Sequence, residues 1–430
     1  MIDRIESIDR EEPVIRFLRV VHRAGLRRPD VDASDRAGAP EPVRLTHVEV
    51  ARRAGLSRPS VASYVRRMRG SVLRSDALAI QPSSGYAIGV DFASAHRARV
   101  VVADMNGKIV GSWPHAREDK LAYQRASEAL DSAEEGIAAV LRTTRDEHDQ
   151  PIGIDRLIGV GISVPGPAQL GGSDERTAPW RHLRADVELK RRLGWRAVEF
   201  TAGNDAYLSA LAESLWGGAT SSQHVLYLKW AAGVRAAPIV NGVLYEGSAA
   251  NAGEFSHQVV SDPEPYDEPC RCGQPGCIHS VTCLRTLLRA AELPDEALAE
   301  TLVKEARAES GPARRALERA ARGIGDELAP FIDLLNPELV VIGGPVGSRA
   351  FPLVLGDLVS SLGQHYSANA QTVSFISSQL NERTAVRGAV GRALLAYGPD
   401  YLRRRAAHAE ATRRRAARAP RATREQRITH

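Results

Sequence analysis

Two stretches of the chain carry the same pattern of strands and turns, and this repeat constrains the fold more than any other feature. The first stretch covers residues 86–113 and the second covers residues 224–247. In each, two runs rich in β-branched residues flank a turn, and an Asn-Gly pair beginning at Asn106 or Asn241 precedes a third run. Asn-Gly between apolar runs is a strong hairpin signal. The repeat predicts two antiparallel three-stranded meanders, one in each half of a duplicated body.

Helical and strand patterns alternate around the two meanders. Such alternation predicts an α/β body of two lobes, and a ligand site is expected in the cleft between them. The 430 residues are enough for two or three domains. Helical periodicity covers residues 121–145, 205–216, 284–293 and 313–335, and apolar runs typical of buried strands cover 157–164 and 339–342.

A helix-turn-helix is predicted from residue 45 to residue 69, where apolar residues recur at helical spacing. Gly55 suits the end of the first helix and Ser57 suits the N-cap of the second. Pro59 is tolerated in the first turn of that second helix. The positions expected to be buried are Val48, Ala51, Val61, Val65 and Met68.

The second helix of this motif is expected to expose polar and basic side chains that reach phosphates and base edges in a major groove. Residues 44–74 contain eight Arg and one Glu, so the motif is strongly basic. These features predict binding to double-stranded DNA, and the alternative is a small helical hairpin with a solvated Arg face. The candidate DNA contacts are Ser57, Arg58, Ser60, Ser63, Tyr64 and Arg67.

The segments around the motif complete an N-terminal domain over residues 1–82. A first helix is expected from residue 13 to residue 23, and the Arg- and Pro-rich stretch 27–43 is typical of a loop. After the motif, two brief strands would form a wing. Residues 82–85 are expected to form a hinge to the body.

The C-terminal end is strongly basic, with ten Arg and two Glu in residues 401–430. Its Ala, Arg and Thr composition predicts a disordered tail, and such a cationic tail can also contact DNA. No apolar run reaches the roughly 18 residues that span a bilayer, and the first residues lack the basic start of a signal peptide. We expect a cytoplasmic, nucleoid-associated protein with no membrane partner.

The body carries a series of short motifs in a fixed order: GVD at 89–91, VPGP at 164–167, GND at 203–205, GEFSH at 253–257, CRCGQPGC at 270–277 and NPELVVIGG at 336–344. With these motifs, residues 86–395 resemble the ROK family of repressors and sugar kinases. The chain from residue 45 resembles the winged helix-turn-helix of the repressor branch. The resemblance implies an α/β, actin- and hexokinase-like (ribonuclease H-like) body, with lobe 1 over residues 85–203 and lobe 2 over 204–400.

Three of the four cysteines lie within eight residues, at Cys270, Cys272 and Cys277. Their spacing, with turn-forming residues between them, brings three thiolates together, and His257 supplies a fourth ligand. The resemblance implies a structural zinc ion at these four positions. A closed Cys3His site leaves no coordination position for catalysis, whereas free cysteines are the alternative.

The resemblance also implies a sugar pocket built from Asn204, Asp205, Glu254 and His257, with a fifth position at His279, where the family has Glu. Asp205 corresponds to the general base of the kinases; in a regulator it only binds. His279 replaces an acceptor by a ring that can also donate, so the usual sugar is in question. A helix N-cap is the alternative role for Asn204 and Asp205.

Both phosphate-binding turns depart from the kinase pattern, in which glycines let backbone N–H groups approach phosphates. The first turn is Asp91-Phe92-Ala93-Ser94-Ala95, and the second is Ala231-Ala232-Gly233-Val234-Arg235. Arg235 would fill space that a phosphate needs. We therefore expect no ATP binding and no enzymatic activity.

These features predict a sequence-specific transcription regulator, expected to repress, that responds to a sugar or sugar-derived effector. Its partners would be a double-stranded DNA operator and copies of itself, as a homodimer or homotetramer. One alternative is a sugar kinase with an appended DNA-binding domain. The other is a regulator whose pocket has drifted away from sugars.

Overall fold

The computed structural model describes residues 12–26, 45–74, 78–92, 98–113, 126–165, 184–259, 270, 272, 276–308, 310–364, 372–380 and 383–418. No helix in these ranges is both long enough and apolar enough to cross a membrane. The predicted loop 27–43 and residues 419–430 lie outside the described residues.

The N-terminal module (residues 12–26 and 45–81) contains three helices: α1 (Pro13–Leu26), α2 (His47–Ala54) and α3 (Arg58–Met68). Local chemistry fixes the turn between α2 and α3, because Gly55 adopts the left-handed conformation at φ 60° and the Ser57 hydroxyl accepts from the Ser60 N–H. Thr46 and Glu49 form a reciprocal capping box at the start of α2. The two predicted helices are therefore present.

One predicted core position of the N-terminal module is wrong. Val48 is 48% exposed, whereas Val50 and Ala51 are buried. Helix α2 turns positions 50, 51 and 54 toward its neighbours, which leaves Val48 on the solvent side. The other four predicted positions are buried.

The wing after α3 is short. Leu73 bridges Ile80 in an antiparallel pairing, and the Arg74 N–H donates to the Ala79 carbonyl at 2.9 Å. The segment 82–85, where a hinge is predicted, is packed against the last helix of the chain. The Ser84 carbonyl accepts from the Tyr401 hydroxyl at 3.2 Å, and that same tyrosine ring fills the space beside Gly85.

Lobe 1 is a five-stranded mixed sheet in the order β3-β2-β1-β4-β5. Helices α4 and α5 cover one face, where Ile88, Val100 and Ile137 share a buried core. The predicted meander and the strand 157–164 are confirmed. The elements are β1 (Tyr86–Asp91), β2 (Arg99–Asp104), β3 (Ile109–Trp113), α4 (Ala126–Thr143), β4 (Leu157–Val164), α5 (Ala185–Leu193) and β5 (Glu199–Asn204).

Lobe 2 repeats this plan with the sheet order β10-β9-β6-β7-β8. Its outer face packs on α8 to α11 in the largest core of the molecule. Its elements after α6 (Asp205–Trp216) are β6 (Val225–Trp230), β7 (Val234–Val240), β8 (Val243–Leu244), α7 (Ile278–Thr282), α8 (Leu284–Ala290), α9 (Ala299–Glu305), α10 (Pro312–Leu335), β9 (Leu339–Gly343), α11 (Gly344–Gln364) and β10 (Ser374–Ser377).

The last helix, α12 (Thr384–Arg418), contradicts two predictions. Residues 401–418 are helical, not disordered, because Leu402 and Ala406 are buried in the core that α12 shares with α1. The first part of α12 lies within the predicted bounds of lobe 2, residues 204–400. It nevertheless packs on β1 and β4 and therefore belongs to lobe 1. A single helix thus runs from the lobe 1 sheet to the N-terminal module.

Helix α6 lies between the lobes. One side packs along α12, and the other side places Tyr207 and Ala210 against the lobe 2 sheet. The contact with α12 is close, because a Cβ on Gly388 would overlap the Leu208 carbonyl oxygen. The α6 residue Glu213 is buried and accepts from the Ser378 hydroxyl at 2.5 Å, and burial raises its pKa.

Candidate functional site

The predicted metal ligands form a compact cluster. One ligand atom from each of His257, Cys270, Cys272 and Cys277 lies within 4.8 Å of all the others. Neighbouring sulfur atoms are 3.2 and 3.3 Å apart, and the His257 Nδ1 lies 3.3 Å from the Cys270 Sγ. A tetrahedral ion with metal–sulfur bonds of about 2.3 Å would hold sulfurs about 3.8 Å apart. The four side chains can therefore hold a metal ion.

Backbone pairing brings His257 to the cysteines. Val259 forms an antiparallel bridge with Cys277, and the Ile278 N–H donates to the Gln258 carbonyl at 2.8 Å. Cys270 and Cys277 are buried, and burial raises the pKa of the Cys277 thiol to about 12. The fourth cysteine, Cys283, is buried beside Thr286 outside the cluster.

The Asn204-Asp205 pair lies where β5 meets α6, next to the cleft. Asn204 is buried and caps α6, since its side-chain oxygen accepts from the N–H groups of Ala206 and Tyr207 at 2.9 and 3.4 Å. The Asp205 carboxylate forms an ion pair with Lys229 of β6, and both side chains are about 15% exposed. The capping role is thus present, and the carboxylate that would bind a sugar already has a cationic partner.

Glu254 has a cationic partner as well. Arg235 of β7 contacts the Glu254 carboxylate at 2.6 Å, and its guanidinium lies 5.1 Å from the centre of the Tyr207 ring. The Tyr207 hydroxyl donates to the Ala252 carbonyl at 2.7 Å. Arg235 is only 11% exposed, because its side chain is packed against Glu254 and Tyr207.

The turn between β6 and β7 is covered by a side chain. A Cβ on Gly233 would lie 2.8 Å from the Nδ1 of His279, so the imidazole rests on this turn. Arg235 follows two residues later. The His279 ring therefore covers Gly233, whereas the Arg235 side chain contacts Glu254 and Tyr207. Of the first turn, Asp91 is buried and residues 93–97 lie outside the described part of the chain.

A cavity of about 150 Å³ lies at the β5–α6 junction. It is polar, and the Arg392–Glu246 ion pair at 2.7 Å forms part of its wall. This volume is smaller than the several hundred Å³ of typical ligand pockets. Its lining residues are Ala202, Gly203, Asn204, Tyr207, Glu246, Gly247, Ser248, Ala250 and Arg392.

The structure brings four of the five predicted pocket residues into one region, through contacts that sequence reasoning missed. Lys229 pairs with Asp205, and Arg235, which lies over the Tyr207 ring, pairs with Glu254. The available signal was a single lysine inside the otherwise apolar strand 225–230. His257 instead offers its Nδ1 to the metal cluster.

The structure divides the predicted DNA contacts into two groups. Ser57 and Arg58 are exposed, and Ser60 and Ser63 are half-buried on α3. Tyr64 is half-buried and stacks on Phe17 of α1 at 5.4 Å, so its ring supports the core of the module. The remaining candidate, Arg67, is 54% exposed and pairs with Glu410 of α12.

Helix α3 also exposes Arg66, which was not among the predicted contacts. The buried positions Val61, Val65 and Met68 lie on the opposite side of the helix. The helical spacing of these three residues was the signal that could have identified Arg66. Its side chain is therefore a further candidate for contact with phosphate.

The comparisons with known proteins agree with this architecture. A putative xylose repressor from Caldicellulosiruptor sp. (strain Rt8B.4) is 26% identical over 352 residues, covering 76% of this chain and 82% of that protein. A glucokinase from Thermotoga maritima is 28% identical over 251 residues, covering 54% of this chain and 77% of that protein.

A solved structure has a similar fold over most of the chain. It is a ROK family transcriptional regulator described as a homolog of the E. coli MLC protein, with a TM-score of 0.67 and 15% identity, and the match covers 92% of this chain and all of that one. The profile of the ROK family matches residues 96–397. This chain therefore belongs to the ROK family.

Proposed function

We propose that this protein is a DNA-binding transcription regulator, expected to repress, that responds to a sugar-derived effector and does not act as a kinase. One observation carries the proposal: α6, which begins at Asp205 in the cleft, packs along α12, and α12 continues to the end of α3. The candidate effector site and the candidate DNA-binding helix therefore contact the same helix.

A second contact joins the N-terminal module to the other lobe. Arg23 of α1 donates to the Gly242 carbonyl, in the Asn-Gly turn of lobe 2, at 2.9 Å. Because α12 holds α1 on lobe 1, any closure of lobe 2 toward lobe 1 would alter this contact. In a homodimer or homotetramer, such a shift would change the spacing of paired modules on an inverted-repeat operator.

The chemistry of the β6–β7 turn supports a non-enzymatic role. The Lys229 ammonium engages the Asp205 carboxylate, so a sugar hydroxyl would have to compete with this cation for the carboxylate. His279 covers Gly233 in the turn that would cradle phosphates. The alternative, a sugar kinase with an appended DNA-binding domain, is supported by the glucokinase relative and by no contact described above.

The metal in this proposal is a structural zinc ion held by His257, Cys270, Cys272 and Cys277. A Cys3His set suits zinc, and four protein ligands leave no position for a substrate. When bound, the ion would supply cross-linking between residues 256–259 and 270–277. Cys277 lies two residues before His279, at the start of α7, so the ion would also restrain the position of that ring.

Fluorescence anisotropy with the full-length protein tests the proposal. We expect sequence-specific binding to an inverted repeat near its own gene, and affinity that falls steeply with salt. Equal affinity for random duplex at physiological salt would refute DNA regulation. Two measurements test the alternative. Calorimetry should detect no ATP binding if the protein is not a kinase. ATP-dependent sugar phosphorylation that is lost in Asp205→Asn would establish the kinase.

A further inference from the structure

The chain crosses between the two lobes at two places, and one buried carboxylate contacts both crossings. The first crossing is α6 with residues 217–224, which leads from β5 in lobe 1 to β6 in lobe 2. The second is residues 378–383, which lead from β10 in lobe 2 to α12 on lobe 1. Glu213, in the last turn of α6, forms hydrogen bonds with residues of both crossings.

The Glu213 side chain is fully buried and accepts four hydrogen bonds. In the first crossing, its Oε2 accepts from the Gly218 N–H at 2.9 Å. In the second, its Oε1 accepts from the Ser378 hydroxyl at 2.5 Å and from the N–H groups of Gln379 and Leu380 at 3.1 and 3.3 Å. All four partners are donors, which matches a carboxylate, a group that only accepts. Breaking these bonds would leave buried donors without an acceptor.

Glycines let the first crossing approach this carboxylate and the second crossing. A Cβ on Gly217 would overlap the Glu213 Oε2. A Cβ on Gly218 would lie 2.5 Å from the side chain of Ile376 in β10. The two crossings are therefore packed together around Glu213, and a rotation of one lobe against the other is restricted to movements that keep this point fixed.

A second contact between α12 and lobe 2 is of a different kind. Arg392 of α12 pairs with Glu246, in the segment after β8, at 2.7 Å, and the two side chains are 25% and 30% exposed. Both line the cavity of about 150 Å³ beside Asn204. An ion pair that reaches water contributes little and is exchanged easily for bonds to solvent or to a ligand. Arg392 also donates to the Thr201 hydroxyl of β5 at 3.3 Å, so it has a partner on lobe 1 when Glu246 moves away.

We propose that Glu213 is the pivot about which lobe 2 turns and that the Arg392–Glu246 ion pair is the latch that holds lobe 2 against α12. The buried bonds of Glu213 stay intact during the movement, whereas the partly exposed latch opens when a ligand occupies the cavity. Glu213 is thus a positioning residue and does not touch the ligand. This inference rests on the proposed function, because it assigns the movement of α12 to the control of DNA binding.

Opening of the latch would also change a contact of the N-terminal module. The Gly242 carbonyl, which accepts from Arg23 of α1, lies in the same segment of lobe 2 as Glu246. A turn of lobe 2 about Glu213 therefore displaces the partners of Arg23 and Arg392 together. In the latched form, lobe 2 and α12 both hold the module. We assign operator binding to this form, since a repressor released by its effector binds DNA in the ligand-free state.

Anisotropy titrations with the full-length, zinc-loaded protein test the latch without any ligand. Glu246→Gln removes the charge that pairs with Arg392, and we expect the ratio of operator affinity to random-duplex affinity to fall about fivefold. Glu318→Gln is the matched control, because Glu318 pairs with Arg314 within α10 at 25% and 26% exposure. The charge exchange Arg392→Glu/Glu246→Arg should recover part of the lost preference.

Hydrogen–deuterium exchange on the same proteins tests the pivot. In Glu246→Gln, exchange should rise in residues 242–250, while residues 217–219 and 378–380 stay as protected as in the unaltered protein. Glu213→Gln replaces an acceptor by an NH2 group that faces buried donors, so exchange should rise at both crossings together. Ser378→Ala removes one of the four donors and is the milder variant if Glu213→Gln does not fold. Ser361→Ala, which removes a buried hydroxyl that donates to Asp326 within lobe 2, is its control.

A double-variant cycle separates a pivot from a residue that only stabilises the fold. Glu213 and Glu246 share no hydrogen-bond partner among the residues that the structure describes, so independent effects on the operator ratio would add. Because both residues act on one movement, we expect Glu246→Gln to have a smaller effect on this ratio when Glu213→Gln, or Ser378→Ala in its place, is also present.

An unchanged operator ratio in Glu246→Gln, exchange that rises at only one crossing in the Glu213 and Ser378 variants, or additive effects in the cycle would each overturn the inference. If the unaltered protein prefers its operator and Glu246→Gln keeps that preference, the regulator stands and the latch does not. If the unaltered protein shows no preference for the operator, the proposed function fails, and the inference that rests on it fails as well.

Discussion

Arg67, in the last turn of α3, donates two hydrogen bonds to the Glu410 carboxylate of α12, at 3.1 and 2.8 Å. The Arg413 guanidinium donates to the backbone carbonyl of the same arginine at 3.0 Å. The residue that the sequence assigned to DNA therefore also joins the candidate recognition helix to the helix that crosses the molecule. Under the proposed function, DNA phosphate and Glu410 would compete for this guanidinium.

Removal of the carboxylate should strengthen DNA binding. In Glu410→Gln the Arg67 charge is released for phosphate, so we expect severalfold tighter binding and a salt dependence steeper by about one ion. An exposed pair of this kind contributes only about 0.2–1 kcal/mol to stability, so folding should be unaffected. Anisotropy titrations at several salt concentrations measure both quantities. Exposed Glu296→Gln on lobe 2 is the control; equal effects from the two variants would contradict the competition.

Arg66→Ala should weaken DNA binding about equally for operator and random duplex. Its side chain is exposed on the solvent face of α3, where a contact with phosphate carries no sequence information. We expect the salt slope to fall by about one. Arg307→Ala, an equivalent change at an exposed position of lobe 2, should leave the titration unchanged. A loss restricted to the operator would instead assign Arg66 to base contact.

Stability should fall between pH 6.5 and pH 4 because of His22. This α1 side chain is fully buried and shares a hydrogen bond with the Met105 carbonyl, and burial lowers its pKa from 6.5 to about 4. The unfolded chain takes up a proton in this range and the folded chain does not, so stability is complete above pH 6.5 and is lost as the pH falls.

The expected loss on going from pH 7 to pH 5 is about 2 kcal/mol in the free energy of unfolding. Urea titrations at the two pH values measure it. His22→Gln keeps a donor for the Met105 carbonyl and should remove this part of the pH dependence. His47→Gln, at an exposed position of α2, should retain it; the reverse pattern would exclude His22 as the cause.

Metal content should depend on Cys277 and not on Cys283. Elemental analysis of the purified protein is expected to give about one zinc per chain. Cys277→Ser removes one of four ligands and should lose the metal and lower the melting temperature, as a chelator should in the unaltered protein. Cys283→Ser removes a buried thiol outside the cluster and should keep the zinc. A native protein without metal would refute the site.

The close crossing of α6 and α12 should be sensitive to one methyl group. Gly388→Ala places a Cβ against the Leu208 backbone oxygen, so the helices must separate, and we expect a loss of about 1–3 kcal/mol. Gly363 of α11 has open space around it, and Gly363→Ala should be neutral or stabilise by up to about 1 kcal/mol. Urea unfolding of both variants compares them. A neutral Gly388→Ala would show that the crossing can relax.

Local sequence signals identified most of the elements. Gly55 ends one helix and Ser57 caps the next through contacts with neighbouring residues. The apolar run 157–164 forms the buried strand that its composition predicts. The cysteine spacing likewise indicated a cluster, because Gly273, Pro275 and Gly276 favour turns that fold this short segment back on itself. These features depend on contacts within a few residues.

The partners of the site residues could not be identified in this way. Arg67 and Glu410 are 343 positions apart, and Asp205 and Lys229 belong to a helix and a strand whose relative position is set by packing. The resemblance predicted Asp205 and Glu254 as pocket acids, but it gave no reason to expect that cations of the same chain would pair with them. The sequence also did not reveal that the Tyr64 ring packs against Phe17 of α1 and does not face solvent.

The sequence by itself determined the family, the duplicated α/β body, the turn of the helix-turn-helix and the four residues of the Cys3His cluster. Only the tertiary structure decided that residues 401–418 are helical. An Ala- and Arg-rich segment forms a stable helix here because Leu402 and Ala406 are buried in a core formed with other elements. The tertiary structure also decided that Asp205 and Glu254 are paired. Ion pairs depend on distance in space, because the Coulomb energy falls with separation. The positions of Lys229 and Arg235 in the sequence therefore do not reveal which carboxylates the fold brings to them.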